Sequence, residues 1–167
     1  LCGDSMVSDI TDIWITPLSD EEIRFRFSRW QQTCKMSKDF WQTNHYLEAT
    51  INNIPNLVWY KDKDGVHEKV NDSFCRTVNK TKQQVEGQRH AYIWDVEQDD
   101  PACIESEHQV MSKKHTFVSE EIIKTGEGMR TLMTYKSPLY NLDGNVMGTV
   151  GVAIDVTQER AYEQELI

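Results

Sequence analysis

The chain has 167 residues, a formal net charge of −9 and a sequence pI near 5.0. Nucleic acids and anionic membranes bind basic protein surfaces, so this acidic balance argues against both as partners. The length fits one domain with a compact core of about a hundred residues plus helical arms. No apolar run approaches the roughly 20 residues that span a bilayer, and no basic-then-apolar leader opens the chain. We therefore expect a cytoplasmic protein without direct membrane contact.

The chain has four cysteines, Cys2, Cys34, Cys75 and Cys103, and no C-x-x-C pair. A domain of this size does not need disulfides, so we expect reduced thiols. Spacings of tens of residues without a companion His pair argue against a thiolate metal site. The sequence also lacks a G-x-S-x-G motif, a Walker loop and a readable nucleophile–base–orienter trio. We expect no catalytic residues and no enzymatic activity in this segment.

The lead-in comprises residues 1–19. The segment from Asp12 to Phe27, DIWITPLSDEEIRFRF, resembles the end of a response-regulator receiver domain, where a last strand leads to a Lys-Pro pair and a final helix. Thr16 stands before Pro17 in place of the Lys, which would contact the acyl phosphate in a phosphorylating receiver. The resemblance implies either a degenerate upstream receiver or a coincidental match, and the sequence leaves both open.

Residues 20–54 are predicted to form one long helix. Its start carries the capping-box pattern Ser19-x-x-Glu22, and Pro55 disfavours helix at the preceding residue. Apolar residues recur three, four or seven positions apart, with one step of six between Trp41 and Leu47. We call these residues the apolar seam: Ile23, Phe27, Trp30, Cys34, Trp41, Leu47, Ile51 and Ile54.

The length and pattern of this helix bear on assembly. The apolar seam is interrupted at Ser37 and Asn44, and polar core positions of this kind can fix the register of a two-stranded coil. A helix of this length extends about 50 Å, more than a domain of this size covers. The pattern therefore favours a parallel homodimer over a helix packed only on its own domain.

Two segments are predicted to form β-hairpins. Residues 56–74, NLVWYKDKDGVHEKVNDSF, read as two strands and a helix start. Residues 134–167 read as a strand ending at Ser137-Pro138, a turn at 143–145, and a second strand rich in β-branched residues. Asp155-Val156-Thr157 then supplies two N-cap-type residues before a charged helix.

These motifs resemble those of PAS domains, in which an opening hairpin leads to an Asn-x-x-Phe helix start. An Asp-Gly turn joins their last two strands, and an Asp-x-Thr triplet starts the output helix. The resemblance covers residues 54–157. It implies an α+β PAS fold, a five-stranded antiparallel sheet with helices on one face, plus a long N-terminal helix and a truncated C-terminal output helix. The PAS domain would occupy residues 55–157, and residues 158–167 would start the output helix.

The region from Lys80 to His115 corresponds to the PAS segment that forms short helices and one longer helix around a ligand cavity. Val85-Glu86-Gly87 matches a common helix end, and His90, Tyr92 and Trp94 follow closely. Aromatic residues with polar tips can line a small-molecule pocket. Trp94 and Tyr92 could equally fill the core while His90 lies at the surface, and the sequence leaves this open.

The strand at residues 130–137 places Leu132, Thr134 and Lys136 on one face and Met133 and Tyr135 on the other. With the Lys136 face inward, a buried cation would suit a carboxylate ligand. Since burying an unpaired Lys is costly, the sequence favours the Tyr135 face inward.

The last strand carries β-branched residues at alternate positions. Val150, Val152 and Ile154 share one face and are expected to line the core. The small residues Gly148 and Gly151 would allow a close approach of neighbouring backbone.

The resemblance implies two sets of functional residues. The candidate ligand-binding residues are Trp59, His90, Tyr92, Trp94, Met111, Phe117, Lys136 and Val150. Asp155 and Thr157 are the candidate signal-transmission residues, since the matching pair in PAS domains couples the core to the effector.

The sequence argues against the two best-known PAS cofactors and leaves any other cofactor unknown. Haem would need a His on the longer helix, but His108 is a lone residue and the polar stretch 97–107 is a poor wall for a porphyrin. Photoreactive flavin domains carry an Asn-Cys-Arg-Phe-Leu-Gln-like box, whereas Cys75 lies in NDSFCRTV.

The resemblance implies a signal-sensing module that binds a small ligand, dimerises, or both. The alternative is a structural PAS module that relays signals without a ligand. The segments FCRTVNKTKQQVEG, HAYIWD, TYKSP and MGTVGVAIDVT look like PAS domains that precede GGDEF diguanylate cyclase domains in anaerobic Gram-positive bacteria. They imply a diguanylate cyclase as the C-terminal effector in the same chain, with a histidine kinase as the alternative.

Overall fold

The structure is a computed structural model that describes residues 17–167. Most of the receiver-like lead-in, up to Thr16, lies outside the described residues. The predicted long helix is confirmed as α1, Asp20–Asn53, and the Ser19 hydroxyl accepts a hydrogen bond from the Glu22 amide at 3.1 Å. The chain divides into two compact units, Leu1–Leu47 and Glu48–Ile167. The irregular six-residue step of the apolar seam therefore ends where the first unit ends.

The second unit has the predicted PAS fold. Its five strands form one antiparallel sheet in the order β2-β1-β5-β4-β3. The elements are β1 Leu57–Asp62, β2 His67–Val70, α2 Asp72–Val78, α3 Lys82–Val85, α4 His90–Ile93, α5 Pro101–Lys113, β3 Phe117–Thr125, β4 Gly128–Tyr140, β5 Val146–Asp155 and α6 Thr157–Glu165.

Buried Asn71 fixes the junction between α1, β1 and α2. Its side-chain oxygen accepts from the amides of Phe74 at 3.1 Å and Val58 at 3.0 Å. Its amide nitrogen donates to the carbonyl oxygens of Ile51 at 2.7 Å and Asn56 at 2.8 Å. All four hydrogen-bonding positions of the amide are thus used, which explains how a fully buried Asn is tolerated at this helix start.

The hydrophobic core lies between the sheet and the short helices α2 to α4. It consists of Leu57, Trp59, Val70, Phe74, Val85, Ile93, Leu132 and Ala153. Within the described part of the chain, α5 contributes no residue to this cluster, and its buried residues are Ser106, Glu107 and Val110. The sheet surface beneath α5 is therefore available for polar side chains.

The predicted orientation of β4 was wrong. Leu132, Thr134 and Lys136 face inward and are at most 4% exposed, whereas Tyr135 is 40% exposed. The argument against burying Lys136 assumed that it would have no partner. In the structure α5 supplies one at Ser106, whose hydroxyl lies 3.0 Å from the Lys136 Nζ.

The predicted orientation of β5 was also wrong. Gly151 and Ala153 face inward, where they pair with Trp59 and Leu57, while Ile154 is 37% exposed. A Cβ atom added at Gly151 would lie 2.1 Å from the Trp59 ring. The indole requires a residue without a side chain opposite it, so Val150, Val152 and Ile154 take the outer face.

The strand predicted to end at Ser137-Pro138 continues to Tyr140. Pro138 pairs with Thr149 of β5, but the pairing of β4 with β3 reaches only to Lys136. At Pro138 the strand has one neighbour, which allows a residue without an amide hydrogen.

Candidate ligand cavity

A cavity of about 40 Å³ lies between the inner face of the sheet and the helices that cover it, bordering the core. Its apolar wall includes Trp59, Phe74 and Trp94. Its polar wall consists of Lys61, His67, His90, Cys103, Glu121, Thr134 and Lys136. An adjoining cleft of about 110 Å³ shares Lys61, His90 and Cys103, and a second cleft of about 320 Å³ shares Cys103 and Glu121. We call the first of these spaces the central cavity.

Two lysines, each no more than 3% exposed, reach the central cavity from β1 and β4, the strands on either side of β5. The Lys61 Nζ lies 2.5 Å from a carboxylate oxygen of Glu107 on α5. The Lys136 Nζ lies 3.3 Å from both the Glu121 carboxylate and the Cys103 Sγ. Buried charges persist in proteins where such partners compensate them, so these contacts explain the buried lysines.

The protonation of Lys136 reflects two opposing effects. Burial lowers its pKa, but Cys103, Glu121 and Glu107 together raise the pKa by more than burial lowers it. The net pKa of Lys136 therefore lies above the usual value. Lys136 is therefore an ammonium group at neutral pH. The Cys103 thiol has a raised pKa because it is buried, with Glu107 adding to the effect, so it is protonated.

The two histidines of the central cavity are neutral at pH 7. Burial, followed by the charge of Lys61, lowers the pKa of His67 to about 3. The His67 Nδ1 lies 3.1 Å from the carbonyl oxygen of Gln88, which can only accept, so Nδ1 carries the hydrogen. Burial and Lys61 also lower the pKa of His90.

The Thr134 hydroxyl has no hydrogen-bond partner. Among the described residues, every other buried side-chain oxygen or nitrogen atom has a hydrogen-bond partner. Thr134 itself is only 1% exposed. An unpaired buried hydroxyl costs about 1–3 kcal/mol, and buried polar groups normally bond to protein or to a bound molecule. This hydroxyl marks the wall of the central cavity where a bound molecule would find a free donor.

The structure separates the predicted ligand-binding residues into three groups. Trp59, His90, Trp94 and Lys136 line the central cavity, whereas Met111 and Phe117 line the adjoining clefts. Two others were misplaced.

Tyr92 and Val150 do not line any of these three spaces. Tyr92 is 51% exposed and its ring lies 6.0 Å from the Lys80 Nζ, because the single turn of α4 places the next residue, Ile93, in the core instead. Val150 lies on the outer face of β5 for the reason given above.

Sequence reasoning missed Lys61, His67 and Thr134 as residues of the central cavity and Glu107 as a residue of the adjoining cleft. Alternation along β1 would have found Lys61, because it shares a face with Leu57 and Trp59. The pairing of Glu107 with Lys61 joins residues 46 positions apart and leaves no local signal.

The predicted transmission residues form a network at the junction of β5 and α6. An Asp155 carboxylate oxygen accepts from the Thr157 amide at 3.0 Å and from its hydroxyl at 2.5 Å. The same hydroxyl accepts from the Thr131 amide of β4 at 2.9 Å. The start of α6 is therefore attached to the strand that carries Thr134 and Lys136 into the central cavity.

A family model described as PAS fold matches residues 51–161. The chain belongs to the PAS family. A curated relative, the uncharacterized protein y4lL of Sinorhizobium fredii, is 24% identical over 133 residues. That match covers 78% of this chain and 16% of the relative, so the chain spans only a small part of its relative's length.

Three solved PAS-like structures show the same fold. The phage VqmA–DPO complex has a TM-score of 0.60 at 20% identity, covering 78% of this chain and 61% of that chain. The PAS domain of a Colwellia psychrerythraea protein has a TM-score of 0.59 at 14% identity, and the match covers 70% of this chain and 98% of that chain. The Vibrio cholerae VqmA dimer, described in the absence of its target DNA, has a TM-score of 0.57 at 18% identity. This match covers 66% of this chain and 50% of that chain.

No helix within residues 17–167 is long and apolar enough to cross a membrane. The same range contains no group of three or more His, Cys, Asp or Glu side chains placed to hold a metal ion.

Proposed function

We propose that this PAS domain is a non-catalytic sensor that binds a small ligand in the central cavity. The observation that carries the proposal is the unsatisfied Thr134 hydroxyl in a wall that also contains the ammonium group of Lys136. A structural module without a ligand would gain stability from an apolar residue at this position. The VqmA–DPO complex supports the proposal as an example of a ligand complex of the same fold.

Filling the central cavity distinguishes a sensor from a ligand-free relay. Thr134→Leu adds volume on the inner face of β4, whereas Thr116→Leu makes the same change at an exposed position. In the full-length protein, we expect Thr134→Leu to abolish the response to the signal while the protein stays folded. Thr116→Leu should keep the response. A normal response in both variants, with equal secondary structure by circular dichroism, would instead support the ligand-free relay.

We propose that the protein acts as a parallel homodimer through α1. Along Ile23 to Trp41 the apolar seam is exposed within its own unit, with Phe27 at 49% and Trp30 at 47%. The VqmA dimer provides a dimeric example of the fold. Deletion of residues 1–46 should convert a concentration-dependent dimer to a monomer in sedimentation velocity.

A matched pair of substitutions tests the seam itself. Trp30→Glu places a charge in the apolar seam, while Phe25→Glu places the same charge about 140° around the helix from it. We expect only Trp30→Glu to weaken the dimer. Equal sedimentation of the two variants, or a wild-type chain that is monomeric at high concentration, would contradict this interface.

We propose that α6 leads to a diguanylate cyclase in the same chain, and a histidine kinase is the alternative effector. The attachment of α6 to β4 through Thr157 supports a route from the central cavity to such a domain. The acidic balance of the chain supports a cytoplasmic signalling module rather than one that binds nucleic acid or membranes. Production of cyclic di-GMP from GTP by the full-length protein, measured beside autophosphorylation by ATP, distinguishes the two effectors.

A further inference from the structure

The charges around the central cavity are not equally enclosed. Glu107, which neutralises Lys61, has a side chain only 9% exposed, so this ion pair is a fixed part of the structure. Glu121, which faces Lys136, has a side chain 38% exposed. Its carboxylate, which also accepts a hydrogen bond from the Ser119 hydroxyl at 3.0 Å, already reaches water, whereas Lys136 cannot leave the interior.

We propose that the ligand is a small monocarboxylate that takes the place of Glu121 on Lys136 and accepts a second hydrogen bond from the Thr134 hydroxyl. The inference rests on the proposed sensor function and names the chemistry of its ligand. Thr134 and Lys136 are two residues apart on the inner face of β4, so both point to the same side of the strand. A carboxylate has two oxygen atoms that can accept from both donors at once.

The exchange preserves the charge of the interior. The cavity wall carries Lys61 and Lys136 as cations, while His67 and His90 are neutral. After Glu107 has neutralised Lys61, one positive charge remains for Glu121 or for a ligand. When Glu121 moves to solvent, a monoanionic ligand pairs with Lys136 and leaves no buried charge unpaired. A neutral ligand would leave the charge of Lys136 unpaired.

The volume of the central cavity limits the ligand's size. A buried water needs roughly 10–15 Å³ of this kind of space, so the cavity holds about three waters. The same space accommodates about five non-hydrogen atoms, which corresponds to a carboxylate with a chain of two to four carbons. The rings of Trp59, Phe74 and Trp94 supply an apolar wall for the chain.

The test compares propionate with propionamide, which has the same number of non-hydrogen atoms and no charge. Both are titrated into the ¹⁵N-labelled 167-residue chain and binding is followed by amide chemical shifts. Hydrogen bonds between charged groups predict that propionate binds at least about tenfold more tightly than propionamide. Lys136→Met should remove this preference.

Three further variants test the exchange. Glu121→Gln removes the competing carboxylate and should strengthen propionate binding several-fold. Glu120→Gln makes the same change at the adjacent residue, whose carboxylate pairs with Arg160 outside the cavity, and should leave the affinity unchanged. Thr134→Val removes the free hydroxyl, so it should weaken propionate binding while raising the melting temperature of the ligand-free protein.

Equal binding of propionate and propionamide, or no binding of propionate, would overturn the monocarboxylate inference. Equal propionate affinity in Glu121→Gln and Glu120→Gln would overturn the exchange at Lys136. These results are distinct from failure of the sensor function, which is judged by the signal response of Thr134→Leu in the full-length protein. A lost response there together with equal binding of the two probes would retain the sensor and reject its anionic ligand.

Discussion

Mild acid should destabilise this domain through His67. The imidazole is 1% exposed, and burial together with Lys61 lowers its pKa from 6.5 to about 3. Between these two values the unfolded chain binds a proton that the folded domain excludes, so the unfolding free energy falls as the pH falls. The stabilisation is complete above pH 6.5 and is lost progressively toward pH 3. At pH 5.0 the loss from this residue is about 2 kcal/mol, since each pH unit contributes about 1.36 kcal/mol.

The assay is urea unfolding between pH 7.5 and 5.0, followed by tryptophan fluorescence. The lowered pKa of His90 also contributes to the pH dependence, so the wild type is compared with His67→Asn. Asn keeps a donor near the position of Nδ1, which bonds to the Gln88 carbonyl oxygen, and does not titrate. The stability difference between the two proteins should change by about 2 kcal/mol between pH 7.5 and 5.0. Parallel pH profiles would refute the reasoning.

Three substitutions test the turn, the sheet and the output junction. Gly144→Val should cost at least about 1 kcal/mol in urea unfolding because Gly144 has φ +78, and an unchanged stability would show that the turn adapts. Gly151→Ala places a Cβ against the Trp59 ring and should cost about 1–3 kcal/mol. Gly126→Ala meets open space and should stay within about 0.5 kcal/mol, so equal unfolding of the two alanine variants would count against close packing at the ring. Asp155→Ala should cost about 1 kcal/mol and leave the core folded, yet alter effector output in the full-length protein. Equal signal response at matched protein levels would leave Asp155 with only a local, structural role at the start of α6.

The fold could be predicted from sequence because its strongest signals are local. The long helix, the Asn-x-x-Phe start at Asn71 and the Asp-Gly turn at Gly144 each depend on residues within a few positions of one another. Local contacts of this kind require particular residues at fixed spacings, which can be recognised in the sequence. The order of these motifs along the chain then indicates the fold.

The candidate site could be predicted only in part. The orientation of Lys136 was decided by Ser106 and Cys103, which lie 30 and 33 residues away and form no sequence pattern with it. The argument that burying an unpaired Lys is costly therefore predicted the wrong inner face for β4. On β5, β-branched residues would normally face the core, but the Trp59 ring occupies that space and only Gly151 fits opposite it.

The attachment of α5 to the sheet has a consequence for how recognition can change. The hydrophobic cluster under α2 to α4 contains no residue of α5, whose contacts with the sheet include the pairs Lys61–Glu107 and Lys136–Ser106. Substitutions that exchange one polar pair for another beneath α5 would alter the shape and charge of the cavity wall without changing a residue of that cluster. The polar wall of the central cavity and the hydrophobic cluster consist of different side chains, although Leu57, Trp59, Phe74 and Leu132 of the cluster also line the cavity. The polar part of the cavity can therefore diverge while the cluster stays constant.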